Sequence, residues 1–133
     1  ENPALRIQAR LIKYPNPARI TMATSTGLTA DYLRYGYAQF SIGGTTQTLQ
    51  IYKSPDHEEL FLPFMDETTG QDTYGSGRYL DLYEYADGTI LLDFNQAYNP
   101  YCAYDAERWS CPLPPRENRL TARIEAGEKT YHD

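Results

Sequence analysis

Two adjacent glycines constrain the fold of this chain more than any other sequence feature. Gly43-Gly44 separates two runs of alternating apolar and polar residues, 35–42 and 45–53. A two-residue connection between such runs favours a type I′ β-hairpin, because glycine adopts the positive φ angles of that turn without strain. Closing the turn at the glycines pairs Ala38 with Leu49. We therefore expect one apolar face of the hairpin in the core and one polar face in solvent.

Alternation near the start of the chain predicts another hairpin. Residues 5–11 place Leu, Ile, Ala and Leu on one face, and residues 18–22 repeat the pattern with Ala, Ile and Met. Between them, the prolines of Tyr14-Pro15-Asn16-Pro17 favour a turn, because proline lacks the N–H that a strand interior donates. Residues 119–124 alternate again and are expected to form a closing strand.

A third predicted hairpin joins residues 78–85 and 89–95 across Asp87-Gly88. Both of its faces are substantially apolar, which is typical of a ribbon covered on both sides, as in a small barrel or a sandwich. On this interpretation Asp93 and Asn95 lie on a covered face. Each of these polar side chains would then need hydrogen-bond partners.

Apolar residues do not follow the 3.6-residue period of a helix for more than a turn or two. We therefore predict a single all-β domain over residues 1–133, an antiparallel β-barrel or barrel-like sandwich of about eight strands. A one-turn helix is expected near Asp31 or Ala103. Two long loops, 66–77 and 96–118, are expected to lie over one end of the barrel, and loops of this length are often functional.

Tyrosine is unusually abundant, with 13 residues against 4 Phe and 1 Trp. It suits half-buried strand surfaces, because the ring packs while the hydroxyl reaches water or a polar partner. A stacking surface for sugars or bases is the alternative. The net charge of −6, without any basic run, argues against nucleic acid as a partner. The longest apolar runs, such as residues 60–62, are far too short to span a membrane.

Two cysteines, Cys102 and Cys111, lie in one Pro-rich loop. In an exported chain they would close a short disulfide loop, and in a cytosolic chain they would remain buried thiols, so the compartment stays open. A zinc site needs about four ligands, and only His57 and His132 supplement the cysteines, so we predict no metal and no cofactor. The sequence starts at Glu1 without an initiator methionine, so we expect a trimmed or processed chain.

Several segments of the second half resemble a known protein family. They are Pro63-Phe64-Met65-Asp66, residues 73–81, residues 93–104, residues 111–120 and Ala126-Gly127-Glu128-Lys129. These blocks are similar to the bacterial and archaeal domain-of-unknown-function family 1684, specifically from residue 63 onward and more loosely before it. The resemblance implies a chain shortened at its N-terminus relative to other members. It implies no activity, because the family is named for having none assigned.

Within those blocks, Arg78 follows Gly75-Ser76-Gly77, whose backbone N–H groups together with a guanidinium suit an anion. The leading hypothesis is therefore a binding module for a small polar or anionic ligand. The side chains expected to hold it are Arg78, Asn95, Tyr98, Asn99, Asn118 and Arg119. The alternative is structural: the glycines shape a turn, and Arg78 pairs with a carboxylate such as Asp93.

A second hypothesis is a hydrolase or isomerase in which Asp93 or Glu117 performs acid–base catalysis with Arg78, provided that one carboxylate has a raised pKa. The alternative for these acids is a buried polar network in which Glu128 and Lys129 also brace the fold. A third hypothesis is a module for assembly with neighbouring subunits. It would use an open patch formed by Tyr35, Tyr37 and Tyr52.

Overall fold

A computed structural model describes residues 1–130 and shows one antiparallel sheet of six strands, curled into a half-barrel. The strands are β1 (Arg6–Ala23), β2 (Thr29–Ile42), β3 (Thr45–Lys53), β4 (Leu60–Phe64), β5 (Arg78–Leu82) and β6 (Thr89–Asp93). Their order in the sheet is β5-β4-β3-β2-β1-β6. The all-β prediction is confirmed, with six strands in the described residues instead of about eight. His132, considered above as a metal ligand, lies outside the described residues.

Short 3-10 helices lie before the first strand and after the last one. They span Pro3–Leu5, Phe94–Gln96, Tyr101–Ala103 and Arg116–Asn118. The third of them confirms the one-turn helix expected near Ala103, whereas Asp31 lies within β2. Nowhere in residues 1–130 is there a helix with the length and apolarity needed to cross a bilayer.

The central hairpin forms as predicted. Gly43 and Gly44 connect β2 to β3 with φ angles of 58° and 81°, the left-handed region that a type I′ turn requires. The register pairs Ala38 with Leu49, and both side chains are fully buried. Alternation predicts this register because a shift by one residue would move every apolar side chain of the ribbon to the solvent face.

The first predicted hairpin is wrong, because β1 continues through the proline segment as one strand of 18 residues. Its pairing with β2 shifts register between Lys13 and Ala18, so the prolines lie in a bulge. On the other side of β1, β6 pairs only with residues 6–10. Pro15 and Pro17 therefore lie where one strand edge is unpaired, and their missing N–H groups are tolerated there.

The predicted hairpin across Asp87-Gly88 is also wrong, because its two strands lie at opposite ends of the sheet order. β5 pairs with β4, and β6 pairs with β1. The tight turn itself forms, and the N–H of Gly88 donates to the carbonyl of Tyr85 at 3.0 Å. A local pattern specifies such a turn, but the edge that each arm joins depends on strands far away in the chain. Residues 78–85 and 89–95 therefore do not form the hydrogen-bonded ribbon that was expected to be covered on both faces.

Residues 119–124 do not form the predicted closing strand. Ile124 is fully buried, as the alternation predicts, but the segment runs as irregular chain. A single parallel bridge joins Arg119 to Met65, where the N–H of Leu120 donates to the carbonyl of Met65 at 2.8 Å, and side-chain acceptors hold the rest. Gln47 Oε1 accepts from the N–H of Thr121 at 3.1 Å, and Asp66 Oδ2 accepts from the N–H of Ile124 at 2.6 Å. Alternation thus predicted the burial correctly and the backbone pairing incorrectly.

The concave face of the sheet holds the hydrophobic core. Its fully buried apolar side chains include Leu49, Ile51, Leu62, Phe64, Ile90, Leu92, Phe94, Leu120 and Ile124. Because successive side chains of a strand point to opposite faces, the residues between them point outward. On β4 and β5 the outward residues include Phe61, Tyr79 and Asp81. The long loop after β6 returns along the free edge of β5, where the main chains of Tyr98 and Tyr79 exchange two hydrogen bonds. These strands therefore position the candidate site.

Candidate functional site

A cleft of about 450 Å³ opens on the convex face of the sheet. Six aromatic residues line it: Tyr32, Phe61, Tyr79, Tyr98, Tyr101 and Trp109. Three ionisable residues lie beside them: His57, Glu59 and Asp81. We call the cavity that these residues line the aromatic cleft. Its volume and lining are typical of small-molecule sites, which are mostly apolar with a few placed polar groups.

Three strands supply the floor of the aromatic cleft. Tyr32 comes from β2, Phe61 from β4 and Tyr79 from β5. The rings of Tyr32 and Phe61 stack with their centroids 5.4 Å apart, and Phe61 meets Tyr79 edge-to-face at 4.7 Å. Stacked and edge-to-face contacts favour fixed ring orientations. The strand geometry therefore presents a continuous aromatic surface.

The long loop after β6 supplies another wall. Its Cys102 and Cys111 form a disulfide, one of the two states that the sequence left open. The loop is attached to the turn between β1 and β2, where the N–H of Ser25 donates to the carbonyl of Cys111 at 3.0 Å. Tyr101 and Trp109, on this loop, bring their ring centroids to 5.0 Å. The disulfide loop therefore positions two rings of the aromatic cleft.

Acidic groups occupy the rim of the aromatic cleft. The Tyr98 hydroxyl donates to Asp81 Oδ1 at 2.8 Å. Partial burial raises the pKa of Asp81, and the hydrogen bond from Tyr98 opposes this rise. Glu59 Oε1 lies 3.7 Å from His57 Nδ1, and Glu59 Oε2 accepts from the Tyr83 hydroxyl at 3.4 Å. Among the described residues that line the cleft, none is Lys or Arg.

Asn99 contributes a buried amide to the wall of the aromatic cleft. Its side chain donates from Nδ2 to the carbonyl of Lys129 at 3.0 Å, and its backbone N–H donates to Glu128 Oε1 at 2.6 Å. Asn99 Oδ1 accepts no hydrogen bond from any described residue. Buried acceptors without a partner are uncommon and cost about 1–3 kcal/mol each. Because this oxygen is itself buried, its missing hydrogen bond is a local cost to the fold.

Arg78, the central residue of the predicted ligand site, does not line the aromatic cleft. Its side chain is 0% exposed and packs over the Phe64 ring at 5.5 Å. The guanidinium lies 3.5 Å from Asp66 Oδ1, so Arg78 pairs with Asp66 and the suggested pairing with Asp93 is wrong. It also donates to three carbonyls, those of Ile124, Ala126 and Glu128. We call Arg78, Asp66 and these carbonyls the Arg78 clamp.

Asp93 and Asn95 lie together at the end of β6. Asp93 Oδ1 accepts from the backbone N–H and from Nδ2 of Asn95, at 3.1 and 2.9 Å. Arg6 approaches Asp93 Oδ2 at 3.8 Å, and the Asp93 side chain is 20% exposed. The Asn95 amide also forms two hydrogen bonds with the main chain of Asn2. Both polar side chains therefore have partners, although the ribbon predicted to cover them is absent.

Asn118 is fully buried between β3 and β4. Its Oδ1 accepts from the N–H of Gln50 at 2.8 Å, and its Nδ2 donates to the carbonyls of Gln50 and Pro63 at 2.9 Å each. In the described chain, β3 and β4 are paired at a single position. The Asn118 amide therefore supplies hydrogen bonds that a longer ladder would otherwise provide. Its neighbour Arg119 is exposed.

Glu117 lies beside β2 and β3, where it pairs with Arg34 at 3.4 Å and accepts from the Tyr52 hydroxyl at 3.3 Å. Asp93 lies on β6, so the two candidate catalytic carboxylates have different partners on different strands. Tyr52 is fully buried, and the other two tyrosines of the predicted open patch are half-buried. The predicted exposure of Tyr52 is therefore wrong, because the Arg116–Asn118 segment covers this part of the convex face.

Of the residues predicted to bind a ligand, the structure brings only Tyr98 and Asn99 to the aromatic cleft. The other four lie elsewhere: Arg78, Asn95, Asn118 and Arg119. The sequence analysis missed the floor and the acidic rim. A signal was present, because aromatic or acidic residues alternate with leucines in residues 60–62 and 79–82. The sequence predicts a covered ribbon for residues 78–85 only, and the loop that makes this outer face a cleft is distant in sequence.

The rest of the described surface offers less to a ligand. A depression of about 470 Å³ beside Asn95 and Lys129 is more open and has no aromatic lining among the described residues. Within residues 1–130, no group of three or more His, Cys, Asp or Glu side chains is arranged to hold a metal ion.

The family resemblance noted in the sequence extends over nearly the whole chain. The family described as "Protein of unknown function (DUF1684)" matches residues 1–129. The chain belongs to this family. The family match therefore also covers the N-terminal half, where the sequence blocks were looser.

A solved relative has the same fold. It is the uncharacterized protein from gene locus rrnAC0354 of Haloarcula marismortui, determined by solution NMR. The two chains are 38% identical with a TM-score of 0.79, and the match covers 97% of this chain and 72% of that chain. No protein with a curated description matches this DUF1684 chain.

Proposed function

We propose that this DUF1684 domain is a binding module for a small molecule that occupies the aromatic cleft. The observation that carries the proposal is a cavity of about 450 Å³ whose wall combines six aromatic residues with ionisable groups. Such a volume suits a metabolite-sized ligand. Covering the ring faces would remove apolar surface from water, which favours binding. The disulfide loop is tied to the β1–β2 turn, so part of the wall is preorganised.

The proposal moves the site away from Arg78. Its guanidinium already serves Asp66 and three carbonyls inside the Arg78 clamp, and a ligand would have to displace those partners. Tyr98 and Asn99, by contrast, lie in the wall of the aromatic cleft. We therefore retain a polar ligand from the sequence hypothesis, whereas an anionic ligand would find no Lys or Arg among the described residues that line the cleft.

The single tryptophan of the chain provides the test, because Trp109 lines the aromatic cleft and is 40% exposed. A panel of charged and neutral small molecules is titrated against ¹⁵N-labelled protein. When a compound binds, we expect the protein resonances that shift to be those of Tyr32, Phe61, Tyr98 and Trp109. Trp109→Ala should weaken binding by about tenfold, because an aromatic contact contributes about 0.5–1.5 kcal/mol beyond its buried area.

Tyr85→Ala is the matched control, because Tyr85 is an exposed aromatic residue that does not line the cleft. It should leave the affinity unchanged. Binding that maps to another surface, or that is equally sensitive to both substitutions, would refute the proposal.

A second candidate function is acid–base catalysis of the hydrolase or isomerase type, with Asp81 in the role that the sequence analysis gave to Asp93 or Glu117. The specific observation is that partial burial raises the pKa of Asp81, which faces the cleft. Perturbed carboxylates in clefts are candidates for such chemistry. The test is turnover of ester, glycoside and amide substrates. Asp81→Asn should abolish any activity that Asp31→Asn, an exposed carboxylate change on β2, leaves intact.

A further inference from the structure

The charges that line the aromatic cleft are predominantly acidic, and the basic side chains of Lys53 and Arg108 lie outside this lining. Asp81 and Glu59 line the cleft, whereas none of its described lining residues is Lys or Arg. The third ionisable residue of the lining is His57. It lies 3.7 Å from Glu59 and would offset the charge of that carboxylate when protonated. The net charge of −6 for the whole chain has the same sign as the rim. A cation entering the cleft would therefore be attracted, and an anion would be repelled.

The aromatic residues favour the same kind of ligand. The face of an aromatic ring attracts a cation that lies within about 6 Å of its centroid. The chain already shows this contact at the edge of the cleft, where the guanidinium carbon of Arg108 lies 5.4 Å from the Trp109 ring centroid. The hydroxyls of Tyr79 and Tyr98 donate to acceptors within the protein itself. They are therefore not free to donate to an anionic ligand, whereas their rings still form part of the cleft.

Asn99 also belongs to this wall, but its amide oxygen is not open to a ligand. Asn99 is 4% exposed, and its Oδ1 has no hydrogen-bond partner among the described residues. That oxygen is itself buried, so it is not exposed to the cavity. Carboxylates and ring faces thus occur around one cavity.

We propose that the aromatic cleft binds an organic cation, a substituted ammonium group whose alkyl part lies on the rings and whose charge faces Asp81 and Glu59. This inference rests on the proposed binding function and names its class of ligand. Aromatic rings are known to recognise quaternary ammonium groups in this way. The cavity of about 450 Å³ leaves room for substituents beyond the ammonium group itself.

The experiment compares choline with 3,3-dimethyl-1-butanol, which has nearly the same shape and hydroxyl but no charge. Each is titrated against the ¹⁵N-labelled chain at constant ionic strength, with sodium phosphate as the anionic probe. We expect choline to shift resonances of the aromatic cleft and to bind about tenfold more tightly than the neutral compound. Phosphate should leave these resonances unchanged.

Two matched variants separate charge from shape. Asp81→Asn should weaken choline binding by about tenfold and leave the binding of 3,3-dimethyl-1-butanol unchanged, because only the charge is removed. Asp31→Asn makes the same change on the exposed surface of β2, and both affinities should equal those of the wild-type protein. Chemical-shift dispersion of each free variant verifies that it is folded.

Each other outcome overturns the inference in a distinguishable way. Equal binding of the two compounds at the cleft would leave the binding module standing and remove the preference for a cation. Tighter binding of phosphate at the cleft would reassign the site to anions. If no probe shifts the cleft resonances, the organic cation is rejected, and the wider panel with Trp109→Ala decides separately whether the cleft binds anything.

Discussion

Two regions built on the same short strand, β5, differ in what they leave available to a ligand. Arg78 points inward and is fully buried in the Arg78 clamp, with a carboxylate and three carbonyls as partners. Tyr79 and Asp81 point outward and line the aromatic cleft. The charge of Arg78 is neutralised by its buried partners, whereas Tyr79 and Asp81 still face a cavity.

This difference within β5 shows that a charged residue in a segment that resembles a binding motif does not by itself indicate a ligand site. A buried guanidinium must be paired and hydrogen-bonded, because an unpaired charge in the interior costs several kcal/mol. Its partners are then internal, and little of its binding capacity remains. Rings on a convex sheet face have no such requirement, so they can stay open to solvent. We therefore expect substitutions in the clamp to change stability and substitutions in the cleft to change binding.

The largest effect is expected for Arg78→Met. Removing the guanidinium leaves Asp66 buried without its cation and three carbonyls without their donor, so the free energy of unfolding should fall by about 3–5 kcal/mol. Urea denaturation followed by circular dichroism measures it. Arg119→Met, which alters an exposed arginine, should change the stability by less than about 0.5 kcal/mol. Similar losses in both variants would remove the distinction between clamp and surface.

The next largest effect is expected on both stability and binding, because the disulfide belongs to the cleft wall and also stabilises the fold. The paired substitution Cys102→Ser with Cys111→Ser opens a loop whose ends are 9 residues apart. The stability should fall by about 2–3 kcal/mol, because the unfolded chain regains the entropy of that loop.

Binding at the aromatic cleft should weaken in the same double variant, because Tyr101 and Trp109 lose their anchor. Wild-type protein treated with a reductant should reproduce both changes, as measured by denaturation and by NMR titration. A double variant with unchanged affinity would show that the wall is held by the β1–β2 turn alone.

A smaller effect is expected for Tyr98→Phe. The Tyr98 hydroxyl donates to Asp81 and lowers its pKa, so removing it should raise the pKa of Asp81 further. The stability should change by about 1 kcal/mol or less, because the hydrogen bond lies near solvent. Titration of the Asp81 carboxyl carbon by NMR measures the pKa, and Tyr85→Phe is the control. A pKa that stays constant or falls would contradict the assigned hydrogen bond.

The smallest effect is the pH dependence of stability that Asp81 contributes. Partial burial raises its pKa in the folded state above the ordinary value of 3.8, so the folded chain holds this proton more tightly than the unfolded chain. The contribution is therefore fully favourable below pH 3.8 and is lost as the pH rises through the raised folded value. Asp81→Asn should lack this loss, so its stability relative to wild type should increase over that interval. Urea denaturation at a series of pH values tests the sign, and a decrease would contradict it.

Parts of the fold could be predicted because the forces that specify them act between residues near in sequence. The Gly43-Gly44 hairpin was predicted with its register, since positive φ angles and alternation act on the same ribbon. The alternation of residues 119–124 likewise predicted which side chains are buried. Tyr98 and Asn99, both expected to bind a ligand, lie next to each other in the lining of the aromatic cleft, and their binding role stays a prediction.

Other parts could not be predicted because they depend on partners far away in the chain. Pro15 and Pro17 were interpreted as a turn, and only the short β6 leaves the edge of β1 unpaired beside them. Asp87-Gly88 makes the expected tight turn, yet its arms join different strands. Asn118 was a candidate ligand residue, and the gap between β3 and β4 gives its amide a structural role.

The sequence by itself determined the β class, the central turn and the apolar faces, because backbone sterics and alternation operate over a few residues. Tertiary structure alone decided that β5 and β6 lie at opposite ends of the sheet order, that Arg78 pairs with Asp66, and that the loop after β6 returns to the convex face. The physical reason is the same in each case. The pattern of a single segment predicts which of its side chains are buried. Strand pairing and the formation of a cleft each need two segments to meet, and that meeting depends on how the whole sheet closes.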